Sequence, residues 1–122
     1  MHELSIAHAM VESVRASAEA AGARAITRVT LRIGALSGVV EHALRFGYEI
    51  VTRDTPLAGA ALEIVTLPAV VACASCGTTS TLDGIQNLTC PACGAPAPRL
   101  IQGKELEISG IEIEVDEQPL AA

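Results

Sequence analysis

The chain has 122 residues, enough for one modest core together with a segment too small to fold on apolar burial alone. Half of its residues are apolar, yet only Phe46 and Tyr48 are aromatic. No apolar run approaches the length of a membrane span, and the N-terminus lacks the basic region and long apolar core of a secretory leader, so the expected location is the cytoplasm. The formal net charge of −6 argues against nucleic acid as a partner, since backbone phosphates require a basic face.

In chain order, Leu4, Ala7, Val11, Val14, Ala18 and Ala21 recur at steps of three and four, which predicts a helix that Gly22 ends. Residues 25–33 then alternate, with Val29, Leu31 and Ile33 on one side and Arg28, Thr30 and Arg32 on the other, as a half-buried strand does. The turn Gly34 to Gly38 leads into a second, short helix carrying Val40, Leu44, Gly47, Tyr48 and Val51, which Asp54-Thr55-Pro56 stops. A second strand runs through Leu62, Ile64 and Leu67 to Pro68. After a cysteine-bearing insertion, Leu106 and Ile108, then Ile111, Ile113 and Val115, alternate with glutamates. The phase slips by one at Ser109-Gly110, which reads as a bulge. The expected fold is α+β: two helices on one face of a small three-stranded sheet. The second and third strands are expected to pair as a long antiparallel hairpin with an inserted four-cysteine, zinc-ribbon-like module at its tip. The expected division is 1–68 and 104–122 for the α/β body and 69–103 for the insert, with a frayed tail from Glu117 to Ala122.

The insert reads CASCGTTSTLDGIQNLTCPAC from Cys73 to Cys93, and it uses every cysteine of the chain. Each CxxC sends two thiolates from one tight turn toward one ion, and two such turns complete a tetrahedron with bonds of about 2.3 Å. Gly77 and Gly94, each just after a second cysteine, supply the positive φ of such turns. Zinc held by Cys73, Cys76, Cys90 and Cys93 is the reading the spacing favours, with iron in a rubredoxin-like site or two disulfides as alternatives. Residues 69–103 contain few large aliphatic side chains, so this segment is expected to be loose without a metal. Four thiolates on a divalent ion take the net charge to about −8, and no lysine or arginine lies between Cys73 and Cys93. A nucleic-acid zinc ribbon is therefore disfavoured.

The histidines are His2, His8 and His42. His8 reads as a half-exposed helix residue, and His42 opens the second helix beside Glu41. A histidine in second place is ordinarily a solvated terminus. With Met1 retained, however, the terminal amine, the His2 imidazole and the deprotonated backbone amides of His2 and Glu3 form a planar nitrogen set suited to Ni(II) or Cu(II). A zincin site is excluded because position 6 is Ile6, and a zinc deaminase because no HxE precedes the cysteines.

The opening Met1-His2-Glu3-Leu4-Ser5, the segments RVTLRIGALSGV and HALRFGYEIVTRDTPLAGA, the CASC and CPAC pairs and the closing QGKELEISGIEIEV together resemble the HypA/HybF family of hydrogenase nickel incorporation proteins over nearly the whole chain. The resemblance implies a nickel metallochaperone rather than an enzyme. Its nickel site would lie at Met1, His2 and Glu3, and its structural zinc on Cys73, Cys76, Cys90 and Cys93. It further implies delivery of Ni(II), with the GTPase HypB, to the large subunit of a [NiFe] hydrogenase, by a monomer or weak homodimer. Where many relatives carry an acid after the GALSGV turn, this chain has Val40, followed by Glu41 and His42. The alternatives of another class are a zinc-ribbon protein-interaction module that carries no nickel and an iron-binding electron carrier.

Overall fold

The computed structural model describes residues 3–82, 88–96 and 98–116. In chain order the elements are α1 (Glu3–Ala20), β1 (Ala23–Gly34), α2 (Glu41–Val51), β2 (Ala61–Leu67), β3 (Val70–Ala72), β4 (Thr79–Thr81), β5 (Arg99–Gln102) and β6 (Leu106–Val115). The strands form two three-stranded sheets, ordered β2-β1-β6 and β4-β3-β5. Two compact units share these elements, one of Met1–Leu31, Val39–Glu63 and Ile108–Ala122, the other of Arg32–Gly38 and Ile64–Glu107. Among the described residues no helix is long and apolar enough to cross a membrane.

In the first unit α1 buries Ala7, Met10, Val11, Val14 and Ala18, the face that the three-and-four spacing foretells, joined by Met10. Leu4 and Ala21, at the two ends of that pattern, are exposed. Gly22 takes a φ of +70°, the left-handed conformation that stops the helix. α2 buries Leu44, Gly47 and Tyr48. Gly47 lets the helices approach closely, for a Cβ there would stand 3.4 Å from the Leu4 Cα and 3.5 Å from the Ala7 Cβ. Val14, Val29, Leu44 and Leu57 are almost fully buried. Val29 and Leu31 are covered while Arg28 is exposed, so the helices cover one face of the sheet and ion pairs occupy the other.

The sheet order corrects one expectation: β2 and β6 do not form a hairpin, because β1 lies between them. Interactions linking Arg24 to Glu114, Arg28 to Glu112, Thr30 to Ser109 and Arg32 to Glu107 show β6 running antiparallel to β1. The bonds Arg28–Glu63 and Ala35 N–H to Leu67 O advance together, so β2 runs parallel to β1. A parallel neighbour needs a long crossover, and the segment 35–60 with α2 is that crossover. Charge favours the same order. β1 carries Arg24, Arg28 and Arg32, whereas β2 and β6 carry Glu63, Glu107, Glu112 and Glu114, so pairing β2 with β6 would have set acid beside acid. In β6 the half-buried positions are Ile108, Ile111 and Ile113, which shows the one-residue phase slip at Ser109-Gly110.

In the second unit β3 pairs antiparallel with β4 and β5, with Val71 opposite Ser80 and Leu100 and an irregularity between Val70 and Val71. Its core is small: Ala69, Val71 and Leu82, packed by Leu36 and Leu100. The turn after β1 belongs to this unit through the bonds Ala35 N–H to Leu67 O (2.8 Å) and Leu36 N–H to Gly103 O (2.6 Å). Gly34 is required there, since a Cβ would lie 2.2 Å from the Gly103 carbonyl.

Candidate metal centre

The two cysteine turns repeat one hydrogen-bond pattern. In the first, the Cys73 N–H donates to Thr78 O (3.0 Å) and the Gly77 N–H to Cys73 O (2.8 Å). In the second, the Cys90 N–H donates to Ala95 O (2.9 Å) and the Gly94 N–H to Cys90 O (2.8 Å). Gly77 and Gly94 have φ values of 72° and 77°, so each chain reverses just past its second cysteine where a side chain would be strained. The first cysteine of each turn, Cys73 or Cys90, is buried, and the second, Cys76 or Cys93, is exposed.

These turns bring all four sulfurs within 4.8 Å of one another. The Cys73–Cys93 separation is 3.6 Å and the Cys76–Cys90 separation 3.7 Å. Four bonds of about 2.3 Å in a tetrahedron put neighbouring sulfurs about 3.8 Å apart, so the group fits a tetrahedral metal. None of the four cysteines is in a disulfide, whose sulfurs would stand about 2.05 Å apart.

Electrostatics point the same way. The Thr78 hydroxyl, followed by the Thr78 N–H, holds the Cys76 thiol down to about 6. The Cys76 N–H lowers Cys73. For Cys93 the Ala95 N–H is the largest influence and favours the thiolate, but the neighbouring sulfurs of Cys73, Cys90 and Cys76 together with burial outweigh it and push the group up to about 12. The backbone is arranged for thiolates, and the obstacle to forming all of them is their mutual repulsion, which a divalent cation removes. Thr78 follows Gly77 directly, and its hydroxyl contribution was not anticipated from the sequence.

Met1 and His2 of the expected nickel site lie outside the described residues. Glu3 opens α1, and its carboxylate accepts the Val40 N–H at 3.3 Å, a contact that periodicity does not reveal. His8 is exposed on α1. His42 is exposed in the first turn of α2 beside Glu41, as its place in the sequence suggested. Among the described residues the four cysteines are the only group of three or more metal-binding side chains close enough to share an ion.

The model of a family described as "Hydrogenase/urease nickel incorporation, metallochaperone, hypA" matches residues 1–113. The hydrogenase maturation factor HypA of Roseiflexus sp. (strain RS-1) is 45% identical over 116 residues, covering 95% of this chain and 94% of its own. That of Chloroflexus aggregans is 48% identical over 112 residues, covering 92% and 98%. Among solved structures, the solution structure of the Ni metallochaperone HypA from Helicobacter pylori superposes with a TM-score of 0.67 at 21% identity, covering 95% of this chain and all of that one, and so shares the fold.

Proposed function

The chain belongs to the HypA family of hydrogenase/urease nickel incorporation metallochaperones, and on that premise we propose that it binds one Ni(II) at its N-terminus and delivers it for maturation of a [NiFe] hydrogenase. The observation that carries this reading is the family match beginning at residue 1, so that Met1-His2-Glu3 and both CxxC pairs lie inside it. Nickel is the cargo. Its donors are the terminal amine, the His2 imidazole and the backbone amides of His2 and Glu3, a planar set that selects Ni(II) over zinc and can give the ion up by stepwise protonation.

Cys73, Cys76, Cys90 and Cys93 hold a structural Zn(II), which supplies a cross-link between two turns and no chemistry toward the cargo. The sulfur separations and the N–H groups aimed at the thiolates support this assignment. The working form is a cytoplasmic monomer or weak homodimer that meets the GTPase HypB and the hydrogenase large subunit, with no catalytic step of its own. Titration of the untagged protein with nickel, alongside metal analysis, tests the proposal. One tightly held zinc and one exchangeable nickel per chain are expected, whereas zinc alone would leave an interaction module and iron an electron carrier.

A further inference from the structure

The four sulfurs of the second unit are not equivalent. Each turn keeps one cysteine under cover, Cys73 or Cys90, and presents the other, Cys76 or Cys93, to solvent. Two short sulfur contacts run from one turn to the other: Cys93 lies 3.6 Å from Cys73, and Cys76 lies 3.7 Å from Cys90. Each contact therefore joins the exposed thiol of one turn to the buried thiol of the other. A solvent-accessible thiol poised beside a second, resolving thiol is the arrangement in which cysteine is oxidised reversibly. The chain has no further cysteine to compete for either partner.

We propose that Cys76 and Cys93 are oxidation sites for hydrogen peroxide, resolved by Cys90 and Cys73 respectively, so that two covalent links between the turns replace the metal one. This rests on the reading above only in taking the four cysteines to hold a divalent ion. In each pair the exposed thiolate sulfur attacks one peroxide oxygen, the O–O bond breaks, and hydroxide leaves a sulfenic acid behind. The buried thiolate then attacks that sulfur, the S–O bond breaks, a second hydroxide leaves and the S–S bond forms. Each of the two sulfurs gives up one electron to the peroxide, and the two hydroxides take up protons to become water. Thiolates are the metal's donors, so their loss frees the ion. The pairing decides what happens to the fold. A disulfide inside each CxxC would leave the turns unconnected once the ion departed, whereas Cys73–Cys93 and Cys76–Cys90 keep them stapled.

The test adds hydrogen peroxide to the unchanged, metal-loaded protein and follows metal release and free thiols together. Each chain is expected to lose its bound ion and all four thiols, with one peroxide consumed for each pair, and a thiol reductant with added zinc should restore both. In a brief exposure dimedone, which traps sulfenic acid, should label Cys76 and Cys93 and spare Cys73 and Cys90. Cleavage before Asp83 separates the two turns in the sequence. The peptides that carry them should stay joined until reduced, and tandem mass spectrometry should read Cys73–Cys93 and Cys76–Cys90. Separate peptides with internal disulfides, dimedone on the buried cysteines, disulfide-linked dimers, or metal and thiols retained under excess peroxide would each overturn the proposal. Absence of metal from the four cysteines of the protein as isolated would instead count against the zinc reading above, so the two failures are distinguishable.

Discussion

The two units of the chain are held together by different means. The first packs two helices on a sheet with Val14, Val29, Leu44 and Leu57 out of contact with water, and burial of that kind contributes about 1.5–3 kcal/mol for each such side chain. The second gathers only Ala69, Val71 and Leu82, with Leu36 and Leu100 packed on them, and its chain reversals are fixed by the two cysteine turns. An apolar core is indifferent to what is dissolved around it. A thiolate cluster depends on an ion, on pH and on reducing conditions, so the two units should fail under different insults.

Removal of the metal is the severest test of that contrast. Changing any one of the four cysteines to serine, or stripping the metal with a chelator, should expose residues 69–103 to protease, because structural zinc contributes roughly 10–16 kcal/mol in comparable small sites. The helices should persist in circular dichroism. Continued protease resistance of 69–103 in a metal-free cysteine variant would break the comparison.

Leu44→Ala is the reciprocal experiment, expected to cost about 2–5 kcal/mol of unfolding free energy while zinc content stays at one per chain. Loss of zinc in that variant would show that the units are not separable. Residues added ahead of Met1, like His2→Ala, should abolish planar Ni(II) absorption without altering zinc content or melting temperature, since an amine turned into a peptide nitrogen is far harder to deprotonate.

Acid should order the two metals. Binding of Ni(II) displaces protons from the amine, the imidazole and two backbone amides, so nickel uptake should fall as pH falls. Zinc should persist to lower pH, because four thiolates in a closed site compete better with protons than a terminal chelate does. Zinc released before nickel would contradict the assignment. The smallest effect is expected at Asp54, whose φ of 60° is left-handed. Asp54→Gly should raise stability by about 0.5–1 kcal/mol in thermal unfolding and leave both metals alone.

What the sequence made legible was local. The three-and-four spacing from Ala7 to Ala18, the alternation from Arg28 to Ile33 and the paired CxxC turns are each dictated by neighbours a few residues away, and each is present in the fold. Strand order is a long-range property: two strands flanking one insertion suggest a hairpin, whereas β1 separates them. A signal was available in the arginines of β1 and the glutamates of β2 and β6, which can neutralise each other only if β1 is central. The three short strands around the cysteines have too few residues to show a period. Leu36 gave no hint that its turn would pack on the cysteine unit. The Glu3 contact with the α2 cap was hidden because a glutamate in a first helical turn already has a sufficient local reason to be there.

The order β2-β1-β6 leaves β6, the longer of the two outer strands, along one border of its sheet. Such borders are templates for unwanted association, because their unpaired amides and carbonyls accept any extended chain. Here the strand alternates isoleucine with glutamate, and Glu107, Glu112 and Glu114 stand on its exposed positions. A second copy of β6 laid antiparallel against the first brings carboxylate toward carboxylate. The acids that neutralise the arginines of β1 thus also act as gatekeepers, keeping the chain from aggregating through its own edge at the high local concentrations met during synthesis.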